Sequence, residues 1–178
     1  MLREIALKYL QGRRTSPGET VQIGWNVLRI TEGTTGLDVE SLDFKRMASY
    51  TTDLGIAEQV HWAQEETLRL LGVEAEDCTL VQSAVVSRSY VPGSLHAFLE
   101  RSSAAKGHDS GWYVGMQDDP LSVDDVDSFI LASLYELSIH DERLARWWLL
   151  PVGYRIFLTG EEPTVTKVAG GASDGLIE

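Results

Sequence analysis

Two stretches of helical period set the outline of this chain, because most of the rest reads in steps of two. In residues 2–10, Leu2, Ile5, Ala6, Tyr9 and Leu10 share one helical face. In residues 53–71, Asp53 stands where a helix cap belongs. Ile56, Val60, Ala63, Thr67, Leu70 and Leu71 form the apolar stripe, and Gly72 follows as the stop. Between these segments Val21, Ile23, Trp25 and Val27 alternate as a strand does, and the alternation then shifts phase to Leu28 and Ile30. Gly24 inside the run predicts a bulge or a close backbone approach. Residues 31–36 read as a turn, and Leu37, Val39, Leu42 and Phe44 as the returning strand of a hairpin.

Beyond Gly72, the loop carrying Glu74, Glu76 and Asp77 marks the boundary between an N-terminal subdomain, 1–77, and a second domain, 78–169. Residues 79–91 read as a strand ended by Pro92-Gly93, and 111–116 as another. Residues 95–100 and 129–139 are short apolar runs that fit strand or helix equally. Asp141 caps a predicted helix over 142–150, Pro151 follows, and 154–158 read as a strand. The tail, 170–178, reads as mobile. Strands and helices come in irregular order, so the expected fold class is α+β, with a mixed or antiparallel sheet and packed helices.

Charge and cysteine narrow the function. The chain of 178 residues has a net charge of −12. Residues 1–16 are net +3, so the remaining 162 carry −15, and five Asp fall within residues 118–127. Phosphate binding needs a basic face, so nucleic acid is excluded as the main partner and a basic protein fits better. Arg3, Glu4 and Lys8 leave the first ten residues without an apolar signal core, and no segment has the length and apolarity to span a membrane. Cys78 is the only cysteine, which excludes an intramolecular disulfide and a Cys-rich zinc site. In its apolar setting it reads as buried and inert. These points together predict a cytoplasmic protein.

Nucleotide cradles, the hydrolase elbow and the HExxH zinc motif are all missing from the sequence. His108-Asp109-Ser110 has the residue types of a triad, but triad members converge from separate places, and a polar turn explains the run. With His96 it supports a runner-up reading, a small hydrolase or ligand-binding domain using His96, His108 and Asp109. His140-Asp141-Glu142 has metal-ligand chemistry, yet a capped helix start accounts for it. Counted as a calcium loop from Asp118, positions 6 and 12 are Val123 and Phe129, where the chemistry needs Gly and Glu. The acidic run is therefore a solvated loop or a docking patch for a cationic partner. On an α-helix Trp147 and Trp148 point about 100° apart, so one of them lies at the edge of the core or in an interface; core for both, with a partly exposed rim, is the favoured reading.

Residues 83–160 resemble a bacterial family of immunity proteins from polymorphic toxin systems, first catalogued as a domain of unknown function. The matching pieces are Val85-Val86-Ser87, then Asp109-Ser110-Gly111-Trp112 with Gly115 and Asp118-Asp119. Tyr135 to Asp141 and Leu150-Pro151-Val152-Gly153-Tyr154-Arg155-Ile156-Phe157 follow. The chain departs from the pattern before Asp109, where Phe98–Arg101 and the loop 102–108 replace a basic or aromatic stretch. The resemblance implies a small α+β domain without catalysis, metal or cofactor, which binds and neutralises a protein toxin. A basic toxin such as a nuclease suits the charge. With the charge clustering it assigns partner binding to Asp118, Asp119, Asp124, Asp125 and Asp127, joined by Asp109, Trp112 and Trp147. Trp112 serves there as floor more than contact.

Overall fold

The computed structural model describes residues 1–34, 36–122, 124–160 and 162–168, so the predicted tail at 170–178 lies outside them. Both segments of helical period are helices: α1 spans Leu2–Leu10 and α2 spans Gly55–Leu71. Gly72 ends α2 at φ +64°, and its N–H reaches back to the last turn. At the other end the cap position is Leu54, one residue past the predicted Asp53, whose Oδ1 accepts the Gly55 N–H at 3.0 Å. The buried face of α2 differs from the predicted stripe. It consists of Ala57, Gln64, Thr67 and Leu68, while Leu70 is 63% exposed. Gln64 is what hid this face: it is buried and donates Nε2 to the Ala145 carbonyl at 2.8 Å, while its Oε1 has no partner among the described residues.

The N-terminal strands form an antiparallel sheet in the order β1-β2-β3-β4, spanning Thr20–Ile23, Asn26–Gly33, Gly36–Leu42 and Tyr50–Thr51. The single strand expected through Gly24 is in fact two strands. Ile23 pairs with Asn26, and Gly24-Trp25 is the two-residue turn between them, with Gly24 at φ +57°. The phase shift after Val27 is the mark of that reversal. Leu2, Ala6, Leu28, Ile30, Val39 and Ala57 form a small core under this sheet.

The larger sheet is mixed, in the order β10-β9-β6-β7-β5-β8. In chain order its strands are β5 Ser83–Ser87, β6 Ala97–Arg101, β7 Asp109–Met116, β8 Phe129–Ser133, β9 Tyr154–Phe157 and β10 Thr164–Lys167. Only β5 and β7 run parallel. The ambiguous run 129–139 holds both candidates, β8 and then α3, Leu134–His140. The expected helix over 142–150 is a 3₁₀ helix, Glu142–Trp147, which Asp141 caps. The fold class is α+β.

A second, larger core lies under one face of this sheet, and both of its adjacent tryptophans are in it: Trp147 is 5% exposed and Trp148 is fully buried. Trp148 packs edge-on against Trp112, with ring centroids 5.3 Å apart. Both indole N–H groups are bonded, Trp112 Nε1 to the Trp148 carbonyl and Trp148 Nε1 to Ser138 Oγ, which lets these rings be buried at no polar cost. The Cys78 thiol donates to the same Trp148 carbonyl at 3.0 Å. Burial pushes that thiol up to about 12, so a thiol reagent should leave the native protein unlabelled and react only on unfolding, a contrast that absorbance readily reads. Labelling at the rate of a free thiol in the native state would contradict it.

Candidate functional site

The D-S-G-W step builds the scaffold of the larger sheet. Asp109 Oδ1 accepts the Gly111 N–H at 2.8 Å, and Ser110 Oγ donates to the Ser83 carbonyl at 2.8 Å. Gly111 sits at φ +76°, where a Cβ would lie 1.8 Å from the Ser103 carbonyl oxygen. The pairing of β5 with β7 slips across this stretch, from Ser83↔Asp109 to Val85↔Tyr113. Trp112 then enters the core at 1% exposure. Of the residues assigned to partner binding, Trp112 and Trp147 are therefore buried, and Asp109 is exposed at the start of β7.

At the far end of β7, the loop to β8 carries the five Asp. Asp118, Asp124, Asp125 and Asp127 are exposed and Asp119 is half-buried. Local bonds shape the loop: Asp119 Oδ1 accepts the Leu121 N–H, and Asp125 Oδ1 accepts the Asp127 N–H, each at 3.0 Å. Arg88 Nε ties it to β5 through the Asp127 carbonyl at 2.7 Å. Among the described residues none of the five carboxylates is in an ion pair. Burial works to raise the Asp119 carboxyl, but the Ser87 hydroxyl, the Leu121 N–H and the Ser89 hydroxyl outweigh it, so its net shift is downward. Val126, 82% exposed, stands among these charges.

The runner-up constellation does not assemble. His96 precedes β6 and bonds through its carbonyl to the Gln117 N–H, while His108 and Asp109 stand at the opposite end of β7. An eight-residue strand is about 25 Å long, too far for one centre. Asp141 is the cap of the 3₁₀ helix, as the simpler reading of His140-Asp141-Glu142 has it. Among the described residues no group of three His, Cys, Asp or Glu could hold a metal ion. A groove of about 420 Å³ lies between α2 and the 3₁₀ helix, lined by Phe44, Ile56, Val60, Ile139, Ala145 and Arg146 among others, and contains none of the assigned residues.

Two buried polar centres go beyond the sequence reading, which has Asp141 only as a cap and gives Arg101 no role. Arg101 is fully buried and donates to the carbonyls of Glu76, Leu150 and Asp77 at 3.0, 2.8 and 3.2 Å, beside the Glu76 carboxylate at 3.7 Å. Asp141 gathers Tyr90, Gly93 and Arg143. Apart from Arg143, two residues from Asp141, their partners are distant in sequence, so no local pattern signals them.

A small α+β protein emerges, with its D-S-G-W step spent on architecture and its unpaired charge on an exposed loop. Residues 63–168 match the family model of the Imm33-like domain, and the chain belongs to that family, an immunity-protein family by its name. The match extends beyond the region of resemblance at both ends, taking in the second half of α2 and the edge strand β10. No curated protein and no solved structure matches the chain. Among the described residues no helix is long and apolar enough to cross a membrane.

Proposed function

We propose that the chain is the immunity partner of a bacterial protein toxin from a polymorphic toxin system. It neutralises that toxin in the cytoplasm by covering its active or substrate site, without catalysis and without a cofactor. Membership of the Imm33-like family carries this reading. The loop Asp, four exposed and Asp119 half-buried, none of them in an ion pair among the described residues, support it, since an acidic surface speeds capture of a basic enzyme such as a nuclease. In this reading Asp118, Asp119, Asp124, Asp125 and Asp127 steer the toxin, Asp109 adds charge at the opposite end of β7, and buried Trp112 and Trp147 hold the surface in shape.

Co-expression with the toxin encoded beside its gene tests the proposal: growth is expected to return when the chain is in excess. Cell death at undiminished toxin dose, with the chain present and folded, would falsify it. Changing the five loop Asp to Asn should slow association about tenfold or more and flatten its dependence on salt. Stopped-flow association at two ionic strengths reads both, and no change in either removes the loop from the encounter.

A further inference from the structure

Among the described residues no helix packs on one face of the six-stranded sheet. Leu68 of α2, Leu134 of α3 and Trp147 of the 3₁₀ helix all join the core on the other side. On that side half-buried Phe157, Phe98, Tyr113 and Phe129 follow one another across the strands, with ring centroids 5.9, 5.6 and 6.2 Å apart, and none belongs to either core. Gly115 closes the row. It pairs with Phe98, and the Tyr113 side chain lies over it, so a Cβ at 115 would sit 2.5 Å from the Tyr113 hydroxyl oxygen. Leu131, paired with Val85 on edge strand β8, extends the row and is 74% exposed. A lone exposed Leu needs no explanation, whereas a continuous apolar row marks a contact surface.

Charge says what covers it. At the start of β7, exposed Asp109 borders a hollow of about 340 Å³ with Glu100, Ser102 and Ser103. At the other end Asp119 lies beside Ser87 and close enough to Tyr113 to raise the phenol, after burial itself. Arg155, on the same face, is already paired with Glu100. Six strands span about 24 Å and five residues about 16 Å, a footprint of roughly 400 Å², about half of what one partner buries in a stable complex. A partner that fills the rest must reach Asp109, next to exposed Lys106, at one end and the acidic 117–127 loop at the other, so the charge that meets it is concentrated at the Asp119 end.

We infer that this face is the docking surface for a protein with an apolar patch ringed by Lys and Arg. The apolar patch sits on the Phe157–Phe98–Tyr113–Phe129 row and the cations meet Asp109 and the Asp119 loop. The inference rests on the toxin-binding reading and adds where the toxin sits.

The test uses the full chain and the toxin it protects against. Leu131→Glu and Gly115→Ala, which forces Tyr113 off its glycine, should each weaken toxin binding about 30-fold or more with an unchanged melting curve. Trp62→Ser, at a 59% exposed position on the outer side of α2, should change binding less than about threefold. If Gly115→Ala does not fold, Leu131→Glu alone decides, because its side chain already faces solvent. Wild-type affinity in Leu131→Glu, or release by Trp62→Ser alone, overturns the inference and leaves the toxin reading standing. A dimer of the free chain that Leu131→Glu dissociates also overturns it, since the occupant is then a second copy. A wild-type chain that neither binds nor neutralises the toxin overturns both.

Discussion

A Gly111→Ala protein is expected to lose a large part of its stability. Two independent costs fall on one methyl group. The backbone at φ +76° disfavours any side chain by about 1–2 kcal/mol. The added Cβ would then stand 1.8 Å from the Ser103 carbonyl oxygen, which is main chain and cannot rotate aside. Moving that loop breaks the Ser102 N–H bond to the Gly111 carbonyl at 3.0 Å and disturbs Trp112 next door. A loss of more than about 4 kcal/mol is expected, against a total of about 5–15 kcal/mol for a domain. Urea unfolding followed by tryptophan fluorescence measures it. A midpoint equal to that of the parent would mean that the 102–108 loop swings away freely and that the D-S-G-W glycine is no structural requirement.

Asp141→Ala is the second large effect. This buried carboxylate accepts from the Tyr90 hydroxyl at 3.0 Å, the Gly93 N–H at 2.9 Å and Arg143 Nη2 at 2.6 Å, while its other oxygen accepts Arg143 Nε at 2.8 Å. One side chain thus caps the 3₁₀ helix and pins the turn at Pro92-Gly93. Its removal leaves the Tyr90 hydroxyl and the Gly93 N–H without their acceptor and takes the helix cap away, while half-exposed Arg143 keeps only the Ser94 carbonyl, with an expected cost of about 2–4 kcal/mol. Burial pushes the Asp141 carboxyl upward, but bonds from Arg143, Gly93 and Tyr90 prevail and hold it below its ordinary value. A depressed carboxylate stabilises the fold above its unfolded value and loses that contribution as pH falls through the folded one. The parent should therefore lose this stability as pH drops below about 4, and Asp141→Asn should lack that part of the dependence. Unfolding free energies of the two proteins from pH 6 to 2.5 compare them, and parallel curves would remove Asp141 from the acid response.

The helices were legible because their signals are local. The apolar face of α1 and the glycine that stops α2 lie within a turn of what they govern. The Gly24 hairpin was visible only as a phase slip, because a two-residue turn leaves no polar gap between its strands. Residues 129–139 could not be divided on paper, since β8 and α3 are both apolar and too short to show a period. β10, Thr-Val-Thr-Lys, is an edge strand with little to bury and gave no signal. The exposed acidic loop was readable from composition. The aromatic row was not, because Phe157, Phe98, Tyr113 and Phe129 come from four strands and meet only through sheet register. Arg101 hid for a related reason: a charged residue reads as surface until three distant carbonyls converge on it.

α2 touches both cores: Ala57 packs under the small sheet and Leu68 under the large one, where Trp25 from the N-terminal hairpin is also buried. The family match begins at residue 63, partway along this helix. A fragment starting there would keep Leu68 but lose Trp25, leaving a tryptophan-sized hole at the junction. The first 62 residues are therefore part of the keystone of the larger fold, and an exchange of N-terminal halves between relatives must carry a replacement for Trp25 with it.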